Sequence, residues 1–142
     1  MPYNINKITK FELSYYAGFF DGEGCIMISK KRASRPCRAL SVVITNTRVS
    51  VLEDIKGIFG GGLFKVRRGK EYYKDKWMWS IGGKKAVAFL TKIYPYLRLK
   101  KKEAELAFEF QRGKTCGKSD ALKERKDIIE EAQYTLMREL KK

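Results

Sequence analysis

Apolar positions recur along this chain at two spacings, and the switching between them lays out the elements. Residues 8–22 repeat at helical intervals, with Thr9 placed to cap the N-terminus and Glu12 three residues on to complete a capping box. Phe11, Tyr15 and Phe19 fall on one face and Leu13, Ala17 and Phe20 on another. A helix apolar on two sides is expected to pack one side on its own domain and the other on a partner. Residues 25–31 and 39–46 alternate instead, Ile26 and Ile28 sharing one face of the first, and Leu40, Val42 and Ile44 one face of the second. The stretch between them, Arg32 to Arg38, reads as a basic hairpin loop.

Residues 48–59 return to helical spacing through Val49, Leu52, Ile55, Ile58 and Phe59, and Gly60-Gly61-Gly62 stops the helix. A second hairpin follows, with strands at 63–68 and 72–81 and a turn at Gly69-Lys70. Gly82-Gly83 leads into a helix at 84–93, striped by Val87, Phe89, Leu90 and Ile93 and ended by Pro95. Residues 99–112 and 120–140 make two more helices, split at 113–117. The last, with Ile128, Ile129, Ala132, Leu136 and Leu140 at helical spacing, is expected to cover the core. The order predicts a single α+β domain over residues 1–142. Two antiparallel hairpins would form a sheet, covered by helices on one face and open on the other.

Charge says what the open face is for. Lys and Arg total 31 against 16 Asp and Glu, a formal +15, which favours a polyanionic partner held through backbone phosphates. The chain has no histidine, which excludes imidazole acid–base chemistry and most zinc hydrolases. Cys25, Cys37 and Cys116 are too few and too scattered for a disulfide framework or a zinc site, and are expected to be reduced. No apolar run approaches about 18 residues and no basic-then-apolar leader opens the chain. An intracellular, non-exported protein is therefore expected, its compartment left open.

In the second hairpin Trp77, Trp79 and Ile81 alternate with Lys74, Lys76, Met78 and Ser80, and Lys65 and Arg67 alternate with Phe64 and Val66. In the first, Ser29 and Lys31 oppose Ile26 and Ile28, and Ser41 opposes Leu40 and Val42. A two-stranded ribbon fits the DNA major groove, where such side chains reach base edges. Ser29, Lys31, Ser41, Lys65, Arg67, Lys74 and Lys76 are the strand candidates for DNA contact, and Arg32, Arg35 and Arg38 those of the loop. A merely solvated face is the ordinary meaning of alternating charge, but acids are scarce among these cations. Trp77 and Trp79 could stack bases, yet their shared face with Ile81 favours the core.

The segment Leu13-Ser-Tyr-Tyr-Ala-Gly-Phe-Phe-Asp-Gly-Glu-Gly24 concentrates the candidate chemistry. Ala17 and Gly18 would let a second helix backbone approach, and two helices finishing together would bring carboxylates side by side. Phosphodiester hydrolysis needs an activated water and charge neutralisation at the phosphate, which oxygen-ligated divalent metal supplies. Asp21 and Glu23 at a helix C-terminus oppose the macrodipole and so ask for a cation. Gly22 and Gly24 would let a main-chain carbonyl face it.

Tyr16-Ala-Gly-Phe-Phe-Asp-Gly-Glu-Gly24 resembles the signature of the LAGLIDADG homing endonucleases. Ala39–Asn46 is similar to that family's second strand, and Phe89–Lys102 to its late helix, proline turn and lysine segment. The likeness runs in order over residues 10–110. It implies an αββαββα fold whose curved antiparallel sheet is a DNA-binding saddle. A single motif with no internal repeat implies a homodimer, with Leu13, Tyr16, Ala17, Gly18, Phe20 and Asp21 at the two-fold interface. Glu23 matches the metal-binding acid, with the Gly22 carbonyl beside it, although Asp is commoner there. Asp21 matches a structural acid, Asn46 a polar residue that organises the attacking water, and Lys100 the basic residue near the scissile phosphate. Arg98 and Lys102 flank that lysine as further candidates for DNA contact. Arg48, another such candidate, lies near Ser50, which stands where the family often has a basic residue.

The resemblance implies a site-specific homing endonuclease that breaks both strands of a long DNA target with Mg²⁺, Mn²⁺ able to substitute. The working carboxylates would be Glu23 and its copy in the other subunit. An intron RNA maturase and a cleavage-inactive DNA-binding protein of the same fold are the alternatives. Glu23, Asn46 and Lys100 together favour cleavage, and a hairpin ribbon suits the DNA major groove better than A-form RNA.

Overall fold

The computed structural model describes residues 7–32, 35–66, 74–114 and 120–142, with the side chains of 30–37 and 120–127 outside that description. Helix α1 spans Lys10–Glu23 and starts as the capping box predicts. The Glu12 amide donates to Thr9 Oγ1 at 3.1 Å and the Thr9 amide to Glu12 Oε2 at 3.3 Å. Gly24 closes the helix in an extended conformation, at φ −85° and ψ 165°, and a Cβ there would lie 2.1 Å from Cδ2 of the Phe20 ring.

The chain then turns directly into β1 (Gly24–Arg32), which pairs antiparallel with β2 (Arg35–Asn46). The strands reach further into the segment 32–38 than the alternation alone predicts. Helix α2 (Val49–Phe59) leads through Gly60 and Gly61, both at positive φ, to β3 (Gly62–Val66). A Cβ on Gly61 would meet the Ser80 carbonyl at 2.6 Å, so the tight passage also requires glycine for space. Strand β4 (Lys76–Gly82) is followed by α3 (Gly83–Ile93), a short 3-10 turn at Tyr94–Tyr96, α4 (Lys101–Arg112) and α5 (Asp120–Leu140).

The four strands form one antiparallel sheet in the order β1-β2-β4-β3. Its helix-covered face carries Ile26, Ile28, Leu40, Val42, Ile44, Trp79 and Ile81, all buried against Ala17, Phe20, Leu52, Ile55, Phe89 and Leu90. Phe89 is the hub, in edge contact with Phe59, Trp79 and Phe20 at centroid distances of 4.8, 5.0 and 5.5 Å. Trp79 belongs to this core, its Nε1 donating to the Gly60 carbonyl at 2.7 Å. Trp77 is half-buried on the same face.

Three expectations are corrected. In β3 the register pairs Leu63 with Trp79 and Lys65 with Trp77, so Lys65 lies on the helix-side face and Phe64 and Val66 on the open one. Leu63 packs on the core and thereby sets the parity, since a one-residue shift exchanges every side chain between faces. Lys65 pairs with Asp75 at 3.3 Å, its ammonium 5.9 Å from the Trp77 ring centre, and so does not join the open-face cations.

Arg38 is likewise not an open-face cation. It is buried beneath α5, ion-paired with Glu130 at 3.9 Å and with Glu131, while Lys114 reaches Glu130 at 3.0 Å. This pairing turns α5 around. Glu130, Gln133 and Met137 face inward, and Ile128, Ile129, Ala132 and Leu136 face outward, Ile128 being 72% exposed. A buried guanidinium without a partner costs more than an exposed aliphatic stripe, so the ion pairs decide which side of α5 is inner.

Candidate active site and nucleic-acid face

Helix α1 turns most of its motif residues inward. Ala17, Phe20 and Asp21 are buried within the chain itself, and Leu13 and Tyr16 pack on its core, Tyr16 edge-on to Phe59 at 6.2 Å. Of the six residues expected at a two-fold interface, Gly18 alone faces outward. The outward stripe is Phe11, Ser14, Tyr15, Gly18 and Gly22, with Phe11 88% and Tyr15 59% exposed. Its spacing of three or four residues is the same helical repeat read one position over, which is why the sequence alone left both faces in play.

Asp21 shows what the C-terminal end of α1 is built on. Its Oδ2 accepts the Arg98 amide at 2.8 Å and its Oδ1 the Lys100 amide at 3.1 Å. The Lys100 ammonium donates to the Asp21 carbonyl at 2.6 Å. The last turn of α1 holds no basic residue of its own, so Lys100 brings the cation that the helix end and its acids call for. One residue past Gly22, Glu23 ends the helix exposed, with no hydrogen-bond or ion-pair partner among the described residues.

Asn46 reaches the same end of the sheet by register. Gly24 pairs with Ile44, so the last residue of β2 lies alongside the final turn of α1. Its Oδ1 accepts the Arg48 amide at 2.8 Å, in an Asx turn that opens α2. Because that amide needs an acceptor, the orientation of the Asn46 carboxamide is fixed, and its NH₂ is the group left to meet a substrate.

Two residues at this end carried no sequence signal. Glu103, one turn into α4 from Lys100, has its carboxyl pushed above the usual range, mainly by burial and also by the Asp21 carboxylate, while Lys100 and Lys141 pull it down. Lys141, at the end of α5, places its ammonium 3.3 Å from Cys25 Sγ. Its arrival depends on the turned α5, which the apolar stripe concealed.

No group of three or more His, Cys, Asp or Glu side chains suited to a metal occurs among the described residues. The donors one chain offers at this end are the Glu23 carboxylate and main-chain carbonyls. Hard oxygen donors at a helix C-terminus fit a divalent cation.

The expected DNA contacts sort by position. Ser29, Arg48, Lys74, Lys76, Arg98 and Lys102 are exposed, and Ser41 is half-buried on the open face. The side chains of Lys31, Arg32, Arg35 and Cys37, and all of Arg67 and Cys116, lie outside the described residues. No helix among the described residues is long and apolar enough to cross a membrane.

Residues 16–109 match the family model described as LAGLIDADG endonuclease. The chain is 31% identical over 114 residues to DNA endonuclease I-CvuI of Chlorella vulgaris, covering 76% of this chain and 67% of that protein. The crystal structure of homing endonuclease I-CvuI with its target in Ca superposes with a TM-score of 0.73 at 22% identity, over 92% of this chain and 82% of that one. The archaeal intron-encoded homing endonuclease I-Vdi141I complexed with DNA gives a TM-score of 0.71 at 20% identity, over 92% and 84%.

Proposed function

Because the chain belongs to the LAGLIDADG endonuclease family and is a homing-type DNA endonuclease, we propose that it works as a homodimer on a long duplex target. Each subunit hydrolyses one strand, and Glu23 with the Gly22 carbonyl would hold the divalent cation, Mg²⁺ or Mn²⁺, that the chemistry requires. The junction of Asp21 with Lys100 carries this reading. It fixes an ammonium at the helix end where Glu23 stands, and the β1–β2 register adds Asn46.

The outward stripe of α1 packs against its copy, Gly18 and Gly22 admitting the second backbone, so that the two Glu23 carboxylates meet. When bound there, a divalent cation supplies phosphate charge neutralisation and acidifies the attacking water. Lys100 donates to the scissile phosphate and stabilises its developing charge. The Asn46 NH₂ donates to the oxygen of the attacking water and orients it, a role that needs no titration at neutral pH. Arg48, Arg98 and Lys102 hold flanking phosphates, setting register rather than sequence preference.

The test uses the duplex that the full-length protein enriches from a randomised pool. Wild type should bind in Ca²⁺ and cut both strands in Mg²⁺, while Glu23→Gln binds as well and cuts about a hundredfold more slowly or worse. Undiminished cutting by Glu23→Gln would overturn the assignment. For the dimer, sedimentation equilibrium should give twice the 16.5 kDa chain mass.

A further inference from the structure

The open face of the sheet is not basic at its centre. Cross-strand register sets Thr45 beside Met78 and Met78 beside Phe64 in one row running over β2, β4 and β3. The next row toward α3 sets Val43 beside Ser80 and Ser80 beside Gly62. Neither row contains a charge. Phe64 is 57% exposed, and its ring is laid back over Gly62, where a Cβ would come within 2.7 Å of the ring tip. An aromatic ring is thus seated on the open face, in space that the glycine leaves, with a thioether beside it.

Resting on the DNA-cleaving reading above, we infer that Phe64 and Met78 are specificity-determining residues that read thymine methyl groups in the major groove. Major-groove edges of G, C and A offer only hydrogen-bonding groups, whereas thymine adds a methyl. An apolar row pressed on a G·C edge would strip water from donors and acceptors and return nothing, so the row selects thymine by penalty as well as by contact. The exposed cations Lys76 and Arg48 lie outside these two rows. Phosphate binding and base reading are therefore carried by different residues.

The test replaces thymine by uracil, one position at a time, in the duplex enriched by the wild-type protein, which removes the methyl and no hydrogen bond. At one thymine or more per half-site, uracil should weaken wild-type binding in Ca²⁺ about fourfold, the weight of one buried methyl. The same replacement should not matter to Phe64→Ala/Met78→Ala, and Gly62→Ala, which crowds the ring, should show a reduced penalty. A duplex that is enriched and cut but tolerates uracil at every position overturns this inference and leaves the endonuclease reading standing. Equal penalties in wild type and the double variant overturn it as well. If no duplex is enriched or cut, both fall.

Discussion

Helices α1 and α5 both show an apolar stripe to solvent, and they differ in what lies underneath. The inner side of α1 is Ala17 and Phe20, sealed into the aromatic cluster around Phe89. The inner side of α5 is Glu130, Gln133 and Met137, attached to the sheet through Arg38 and Lys114. Apolar contact needs no particular protonation state or charge partner and is lost only when the core opens. Ionic contact is orientation-specific, with a net worth that nearly cancels against desolvation. Helix α1 is thus part of the core and carries its C-terminal end rigidly, whereas α5 is a strap. The outward stripes differ too: glycines at 18 and 22 permit backbone contact on α1, while α5 presents Ile128 and Leu136 beside Glu131 and Glu139.

Cutting each anchor should give the largest separation between the two helices. Phe20→Ala empties a fully buried ring site and should cost about 3–5 kcal/mol in urea denaturation, unfolding the chain as a whole. Arg38→Met leaves Glu130 with Lys114 as its partner and should cost about 1–3 kcal/mol, below the usual loss for a broken buried pair because that lysine remains. Hydrogen exchange should then quicken in α5 and not in β2 or β4. Adding Glu130→Leu should recover none of the loss, since it takes from Lys114 the carboxylate it still held. Equal and global losses in both variants would erase the distinction.

The stripes separate next. A Cβ added at Gly18 would meet nothing within 4 Å, so Gly18→Leu should leave folding intact or raise stability by up to about 1 kcal/mol through helix propensity. Sedimentation equilibrium should nevertheless show monomer. Leu136→Glu on α5 should leave the dimer mass unchanged. The reverse pair of results would move the interface from α1 to α5.

What sequence could and could not convey divides along the same line. The capping box at Thr9 and Glu12, the strand alternation around Val42 and the place of Trp79 in the core are local patterns, and the fold realises them. The side of β3 that faces inward was illegible because Leu63, not Phe64, meets Trp79, and a short edge strand reads equally well in either parity. The facing of α5 was illegible because it depends on Arg38, which meets Glu131 across 93 positions of sequence. At the candidate site Glu23 and Lys100 could be named in advance through their resemblance to family positions. That Asp21 accepts the backbone amides leading into α4 is a tertiary fact, invisible until residues 21 and 100 are adjacent.

The smallest effect belongs to Glu103, which feels Asp21 at the end of α1 and Lys141 at the end of α5. Burial leads the causes that raise its carboxyl, ahead of the lowering by Lys100 and Lys141. A carboxyl raised in the folded state favours folding fully below its unfolded pKa, near 4.3, and loses that contribution as pH climbs through the higher folded value. At neutral pH its ionised form therefore works against folding. Glu103→Gln should raise Tm at pH 7 by ~1–2 °C, a figure kept small because solvent screens a partly exposed group, and by nothing measurable at pH 4. If the lysines outweighed burial, the neutral-pH shift would carry the opposite sign. Glu103 would then be a brace drawing the strap's Lys141 toward the rigid end of α1, rather than a cost accepted where the two helices converge.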